Sequence, residues 1–317
     1  MNLQSKIAAI LLFVLGMITY EGCDSLIYED MSDCPQGVYV KFYSKTPCDV
    51  DSLYPVDIKD LRIYVFDAND VFVTEYAVTN VTLSKNYEYY IPITPHGLYS
   101  FVAWSGINER YTMNPLQPGK TTKDEALLQL KRSAEIAENL EGTKLYMGTS
   151  PSVLLPDPQE YGSYYAHTAV NMLELTNRVQ VIVEGFAHPE DYTVYLSIRN
   201  GDYTVKGNII LGGNLKYYPS EISYEDNLLT ANFTTLKLET GFDDWLYLQT
   251  KSGETVFYQE DFLGTILMQN PEINLNCDHD FVIRFKVKED EGTYVVVGVW
   301  VNDWQIHTYP TGVDTDL

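Results

Sequence analysis

Apolar and polar residues alternate in many short segments of this chain, which is the pattern of β-strands with one buried face. In the first half the alternation predicts strands at residues 38–43, 61–66, 71–74, 87–93 and 98–104. Turn-forming residues separate the second strand from the third and the fourth from the fifth, so we expect two hairpins. Short strands at regular spacing are typical of a β-sandwich.

One segment of the first half has a helical pattern instead. Thr122 and Glu125 match a capping box, in which two side chains satisfy backbone amides at the start of a helix. Apolar residues then recur at helical spacing from Leu127 to Leu140, and Gly142 follows. The pattern predicts one helix inserted in the first half.

The second half repeats the β pattern. Its predicted strands are residues 179–183, 192–198, 228–238, 245–250, 281–287 and 294–301. A short helix is expected at 260–268. The proline-rich residues 150–165 separate the halves, which places an N-terminal β-sandwich domain at 37–163 and a C-terminal one at 164–317. The predicted fold class is therefore mainly β.

The first residues have a different character. Lys6 precedes an apolar run at 7–18, which matches a secretory signal peptide and is too short to span a bilayer. A small residue precedes Cys23, so we expect a lipoprotein signal peptide at 1–22, acylation of Cys23 and a lipidated tether at 23–36. An ordinary signal peptide, or an uncleaved anchor with an incidental cysteine, is the alternative.

The formal net charge of −23 argues against several classes of partner. Nucleic-acid phosphates would repel so acidic a chain, and anionic lipid headgroups would repel it as well. We therefore expect no nucleic-acid partner, and attachment to an outer membrane would depend on acyl chains.

The four cysteines are Cys23, Cys34, Cys48 and Cys277. If Cys23 carries lipid, an odd number of thiols remains in an oxidising compartment. Cys34 and Cys48 are close in sequence and could form a local disulfide, which would leave Cys277 as a free, buried thiol. The absence of a C-x-x-C pair argues against a zinc or redox site.

The sequence contains no motif for catalysis. It lacks a nucleophile elbow, a phosphate-binding loop and a dinucleotide fingerprint, and its five histidines are scattered. We therefore predict no catalytic residues, no cofactor and no metal site. The 26 tyrosines favour either ordinary packing on half-buried strands or stacking against sugars.

Several segments together resemble a known family. They are residues 23–25, 33–40, 61–67, 175–179, 260–264 and 301–307. In their order and spacing these segments are similar to the FimB/Mfa2 fimbrial anchor lipoproteins of Bacteroidales. Asp303 departs from the family pattern, which usually has glycine at this position.

The resemblance implies two transthyretin-like β-sandwich domains, a lipid anchor in the outer membrane through Cys23, and a place at the base of a fimbrium. Its partners would be fimbrial shaft subunits that assemble by strand exchange, in which a C-terminal strand of one subunit fills a groove on the next. The groove of a shaft subunit opens when an arginine-specific protease removes the first strand. Here no arginine lies between Cys23 and Leu61, and Arg62 falls inside a predicted strand. The first strand would then stay in place, and polymerisation would end at this chain.

The end of the chain is the candidate contact strand with a shaft subunit. Residues 300–307 alternate apolar and polar side chains, and the candidate contacts are Trp300, Val301, Trp304 and Ile306. An ordinary terminal strand of the second domain is the alternative. At the level of function, the alternative to a fimbrial anchor is a surface lipoprotein that binds glycans.

Overall fold

The computed structural model describes residues 30–242, 244–290 and 293–308, and within these ranges the chain is mainly β, which confirms the predicted fold class. The strands, in chain order, are β1 (Gln36–Tyr43), β2 (Asp60–Phe66), β3 (Phe72–Thr79), β4 (Glu88–Pro92), β5 (Gly97–Ser105), β6 (Tyr111–Met113), β7 (Ala126–Leu130), β8 (Arg132–Ser133), β9 (Ile136–Ala137), β10 (Tyr146–Thr149), β11 (Val153–Leu155), β12 (Tyr164–Asn171), β13 (Leu173–Glu174), β14 (Thr176–Glu184), β15 (Tyr192–Thr204), β16 (Ile209–Tyr217), β17 (Glu221–Glu225), β18 (Leu228–Leu236), β19 (Trp245–Thr250), β20 (Thr255–Gln259), β21 (Asp280–Asp290), β22 (Thr293–Val301) and β23 (Trp304–Thr308). The helices are short: α1 (Pro158–Tyr161), α2 (Phe262–Thr265), and 3-10 turns at Pro189–Asp191 and Leu267–Gln269.

The described strands form four sheets. The first has the order β12-β1-β4, and the second has the order β13-β10-β5-β2-β3, with β11 also paired to β5. The third is β17-β18-β14-β21-β22-β23. The fourth is β20-β19-β15-β16-β9-β8, to which β7 adds through β15 and β6 through β7.

The first core lies between the first and second sheets. Val38, Val40 and Phe42 of β1 enter the same buried cluster as Ile63 of β2 and Phe101 of β5. The core residues of β1 are two positions apart because successive side chains of a strand point to opposite faces. This geometry explains the alternation of apolar and polar residues in this part of the sequence.

The second sheet is buried on both faces. Ile63 of β2 faces the first core, while the next residue, Tyr64, belongs to the second buried cluster. Ala103 and Trp104 of β5 divide between the two cores in the same way. The two cores therefore share one sheet, and the second core continues into the third and fourth sheets.

The helix predicted at residues 122–142 is wrong. The capping-box contact does form, because the amide of Thr122 donates to the Glu125 carboxylate at 3.0 Å. The chain then continues into β7, which pairs with both β6 and β15. Ala134 has φ of 53°, which no α-helix accommodates. Pairing with β15 outweighed a local helical preference, as tertiary context often does.

Two expectations on the first half also differ from the structure. The strands predicted at 87–93 and 98–104 exist as β4 and β5, but they belong to different sheets and do not form a hairpin. β12 pairs with β1 and Met172 belongs to the first core, whereas Leu175 belongs to the second. The boundary between the two cores therefore comes after Met172 and not at 163/164. The segment from β6 to β9 joins the fourth sheet, which contributes to the second core.

The predicted disulfide between Cys34 and Cys48 is wrong. Cys48 is bonded to Cys277, 229 residues away in sequence. Cys34 and Cys48 flank the two ends of β1, whose eight residues span roughly 25 Å at about 3.3 Å per residue. A disulfide needs Cα atoms only about 4.4–6.8 Å apart. The extended strand therefore keeps Cys34 away from Cys48.

Candidate functional site: the first strand and the exposed edges

β1 is held on both of its edges. Val38 lies opposite Ala166 of β12 in a parallel ladder and opposite Ile91 of β4 in an antiparallel ladder. The inward side chains Val38 and Val40 are fully buried, and so is Phe42. β1 is thus both an interior strand of its sheet and part of the first core. Neither of its edges can accept another strand.

The first arginine of the chain after residue 23 lies in a similarly protected place. Arg62 of β2 is opposite Ala77 of β3 on one side and opposite Trp104 of β5 on the other. A protease binds its substrate as an extended chain, so a backbone already paired on both sides cannot enter a protease cleft without unfolding. This placement agrees with the position expected for Arg62 from the sequence.

The candidate contact segment is a hairpin and not one continuous strand. Val301 ends β22, Asn302 and Asp303 form a two-residue turn, and Trp304 begins β23 opposite Val301. Among the described residues β23 is the last strand of the third sheet, so within that part of the chain one of its edges is open. Trp304 is 46% exposed at this edge, and Ile306 packs partly against the second core.

The four predicted contact residues therefore divide. Trp304 is placed to meet a partner, and Trp300 is half-buried on β22. Val301 is fully buried in the second core, so its side chain is not accessible in this structure, and its role as a contact stays a prediction. Cys23, the predicted lipidation site, lies outside the described residues.

Aromatic rings collect on the outer face of β1. The Tyr39 ring stacks on His167 of β12 with ring centroids 5.2 Å apart and lies 5.0 Å from the ring of Tyr90 on β4. Tyr165 lies 5.9 Å from Tyr90. The Tyr90 hydroxyl donates to the carbonyl oxygen of Gln36 at 3.1 Å. These contacts cover the outer face of β1 and add to its burial.

A second group of rings occupies the surface of the fourth sheet, and we call it the aromatic ladder. It consists of Tyr195, Tyr218, Trp245, Tyr247 and Tyr258. Tyr195 and Tyr247 are cross-strand neighbours with centroids 4.7 Å apart and planes within 5°. Tyr258 is 53% exposed and Tyr218 is 40% exposed. An exposed aromatic surface of this kind suits a ligand or a protein partner.

A surface cavity of about 380 Å³ adjoins the aromatic ladder. Trp245 belongs to the aromatic ladder and also lines the cavity. The other residues that line the cavity are Arg199, Asn214, Glu260 and Asp261. The Arg199 Nε donates to the carbonyl oxygen of Gly212 at 3.1 Å. The site therefore combines ring faces with charged and amide groups that can donate and accept hydrogen bonds.

Charged groups connect the end of β13 to the third sheet. Arg178 of β14 donates to the carboxylates of Glu174 and Asp280. The hydrogen bonds from Arg178 hold the pKa of Asp280 below its usual range. Next to them, burial lowers the pKa of His279, whose Nδ1 lies 3.1 Å from the carbonyl oxygen of Thr176. Because a carbonyl only accepts, Nδ1 carries the proton in this contact.

Sequence reasoning missed two of these features. Trp245, Tyr247 and Tyr195 alternate along predicted strands, but only the pairing of β15 with β19 brings them together, and the pairing is not readable from one sequence. The partner of Cys48 was missed for the same reason, because Cys277 is distant in the chain.

The described part of the chain offers no group of three or more His, Cys, Asp or Glu side chains that could hold a metal ion. Its helices are also all too short or too polar to cross a membrane.

Comparison with known proteins gives the family. The family described as "Fimbrillin-A associated anchor proteins Mfa1 and Mfa2" matches residues 31–310. The chain belongs to the Mfa2 family. It is 38% identical over 293 residues to the minor fimbrium anchoring subunit Mfa2 of Porphyromonas gingivalis, with 90% of each chain covered. The family consists of structural fimbrial proteins, so this member is a structural protein and not an enzyme.

Solved structures agree with the Mfa2 family assignment. The fimbrial anchor protein Mfa2 from Porphyromonas gingivalis matches with a TM-score of 0.81 and 38% identity, over 87% of this chain and all of that one. A putative polysaccharide-binding protein from Bacteroides thetaiotaomicron has a TM-score of 0.69 at 20% identity, over 88% of this chain and 99% of that one. At this identity the second match shows a shared fold only.

Proposed function

We propose that this chain anchors a fimbrium to the outer membrane and ends strand-exchange polymerisation. Acyl chains on Cys23 would hold it in the membrane, and β1 would remain in place and block strand addition at the first core. The observation that carries the proposal is the burial and two-sided pairing of β1 in a member of the Mfa2 family.

Strand exchange needs an open groove with unpaired backbone groups on its edges. Here β1 itself fills that place. Removing it would expose Val38, Val40 and Phe42, each worth about 1.5–3 kcal/mol of burial, besides the ladder bonds to β4 and β12. A free donor strand cannot compete unless β1 is first cut away. The absence of arginine from residues 24–61 removes the cleavage site that would allow this.

Attachment through lipid has a simple physical requirement. One acyl chain binds a membrane only marginally, so stable attachment takes at least two chains. With a net charge of −23, the protein gains nothing from anionic headgroups. Replacing Cys23 by serine should therefore move the protein from the membrane fraction to the soluble fraction. Mass spectrometry of the N-terminal peptide tests the same point, and an unmodified Cys23 in membrane-bound protein would contradict it.

The contact with a shaft subunit is assigned to the open edge of β23. An added strand there would pair with the backbone of β23 and pack against Trp304. We expect Trp304→Asp to reduce co-purification of shaft subunits with the anchor. Leu154→Asp is the matched control, because Leu154 is also exposed and lies on β11, which pairs with β5 in a different sheet.

Deletion of the gene tests the whole proposal. The mutant should release its fimbriae into the medium or carry over-long ones, and the wild-type gene should restore attachment. Fimbriae of normal length that stay attached to the deletion strain would refute the anchor function.

Glycan binding at the aromatic ladder is a second candidate function, favoured by the exposed ring of Tyr258 and the half-buried ring of Trp245 beside a polar cavity. A glycan array would show specific binding that Tyr258→Ala and Trp245→Ala remove. Tyr161→Ala is the control, since Tyr161 is 64% exposed and lies outside the ladder. If the protein binds no glycan on the array, glycan binding is not the function of the aromatic ladder.

A further inference from the structure

The disulfide connects β1 to the centre of the third sheet by a route that bypasses the backbone. Cys48 lies just after β1, and Cys277 lies just before β21. β21 pairs with β14 on one edge and with β22 on the other, so Cys277 is attached to an interior strand. The chain that follows β1 is therefore joined covalently to the second core.

The backbone route from β1 to β2 is the exposed loop at residues 44–59. Val50 is 87% exposed and Val56 is 81% exposed in this loop. Hydrogen bonds hold other parts of the loop, such as the two backbone bonds between Ser44 and Leu53 and the bonds from Thr46 to the Asp49 carboxylate. Exposed loops are the preferred sites of proteolytic cleavage, so this loop is where the connection between β1 and the rest of the protein is most easily cut.

We propose that the Cys48–Cys277 disulfide is a second covalent connection that keeps β1 attached after this loop is cut. Hydrolysis of one peptide bond after Cys48 consumes one water molecule and leaves a new carboxylate and a new ammonium group. The disulfide is unchanged by that reaction. The N-terminal fragment then carries Cys48, and the remainder, which we call the body, carries Cys277.

The purpose of this connection rests on the proposed anchor function, because the retained fragment is the one that would carry lipid on Cys23. A cut in the loop would leave β1 in its groove and the lipid joined to the body. Without the disulfide, β1 would be held by packing and ladder bonds alone. The disulfide thus protects both the membrane attachment and the closed groove.

The position of a cut relative to Cys48 provides the test. Val50→Arg places an arginine after Cys48, and Lys45→Arg places one before it, in the same loop. Each full-length variant is treated with an arginine-specific endoprotease, and mass spectrometry locates the cut. The wild-type chain, which has no arginine in this loop, is the control and shows any cut at its other arginines. The products are then separated in denaturing gels without and with a reductant, so that β1 cannot be retained by packing.

We expect cleaved Val50→Arg to run as one band without reductant and as two bands with it. Cleaved Lys45→Arg should give two bands in both gels, because Cys48 then stays on the body. Two bands from cleaved Val50→Arg without reductant would overturn the proposal. If Lys45→Arg resists the protease, the comparison of cleaved Val50→Arg without and with reductant still tests the proposal.

Membrane fractions separate this inference from the anchor function. Membranes that carry cleaved Val50→Arg should keep the body during a wash with urea, which removes the packing of β1, and reductant added to that wash should release it. If the uncut wild-type protein is absent from the membrane fraction, the anchor function fails, while the gel result still decides the role of the disulfide. If reductant leaves the body on the membrane in cleaved Val50→Arg, the disulfide is not what retains it.

Discussion

The indole Nε1 of Trp104 donates a hydrogen bond to the carbonyl oxygen of Val205 at 2.8 Å. Trp104 comes from β5 in the second sheet, and Val205 follows β15 in the fourth. Both residues are fully buried. This contact holds the shared sheet against the second core.

Trp104→Phe should therefore destabilise the protein. The substitution leaves a buried carbonyl without its donor, at about 1–3 kcal/mol, and a cavity adds to that cost. We expect the free energy of unfolding to fall by about 2–4 kcal/mol in urea denaturation. Trp304→Phe is the control, because Trp304 is exposed and should change stability by less than about 0.5 kcal/mol. Equal effects of the two substitutions would contradict this account.

Loss of the Cys48–Cys277 disulfide should also lower stability. The bond closes a loop of 229 residues, and such cross-links typically contribute about 2–5 kcal/mol by restricting the unfolded chain. The double variant Cys48→Ser/Cys277→Ser should unfold at lower urea concentration. Its dependence on urea should be steeper, because the unfolded chain without the link is less compact. An unchanged midpoint together with an unchanged dependence on urea would show that the disulfide contributes nothing to stability.

The sequence predicted strands best where alternation was long and the turn chemistry local. β1, β2 and β19 lie where the pattern placed them. The prediction from sequence failed where pairing with a strand that is distant in the chain decides the secondary structure. The segment around β7 has a helical pattern, but the backbone of β15 lies beside it and offers a ladder. A single sequence contains no record of which strands become neighbours.

The candidate site divides in the same way. The retention of β1 was implied by the family resemblance and the absence of arginine from residues 24–61, and the place of Arg62 inside a strand followed from the alternation along the chain. The aromatic ladder and the partner of Cys48 did not, because each depends on residues from several strands. The burial of the Val301 side chain was not foreseen, since alternation cannot tell which face of a terminal strand meets the core.

His279 should make stability depend on pH. Its pKa is lowered by burial, so the unfolded state takes up a proton below about pH 6.5 that the folded state resists. Stability should be complete above that pH and should fall as the pH drops through 6.5 toward the folded pKa. The slope from this one group cannot exceed about 1.4 kcal/mol per pH unit.

Thermal unfolding between pH 7 and pH 5 checks this dependence. His279→Gln keeps a donor for the carbonyl oxygen of Thr176 but cannot take up a proton, so its melting temperature should fall less over this interval. His188→Gln is the control, since the His188 side chain is 73% exposed. If His279→Gln and the wild type lose stability in parallel, the dependence arises elsewhere.

The turn between β22 and β23 contains Asp303, a position where the family resemblance implies glycine. Asn302 has φ of 47° and Asp303 has φ of 64°, as in a type I′ turn. Glycine adopts positive φ without steric cost, whereas aspartate does not. We therefore expect Asp303→Gly to stabilise the terminal hairpin by about 1 kcal/mol, the lower end of the cost of a left-handed conformation for a residue with a side chain. Slower hydrogen exchange at the amides of β23 would measure the gain.

A second turn of the same kind provides the matched control. Asp226 and Asn227 also have positive φ, of 49° and 64°, between β17 and β18. Asn227→Gly should slow exchange in its own hairpin and leave β23 unchanged. If Asp303→Gly speeds exchange in β23, then the aspartate side chain stabilises this turn more than its backbone conformation costs. In that case the departure from glycine would strengthen the edge that we assign to subunit contact.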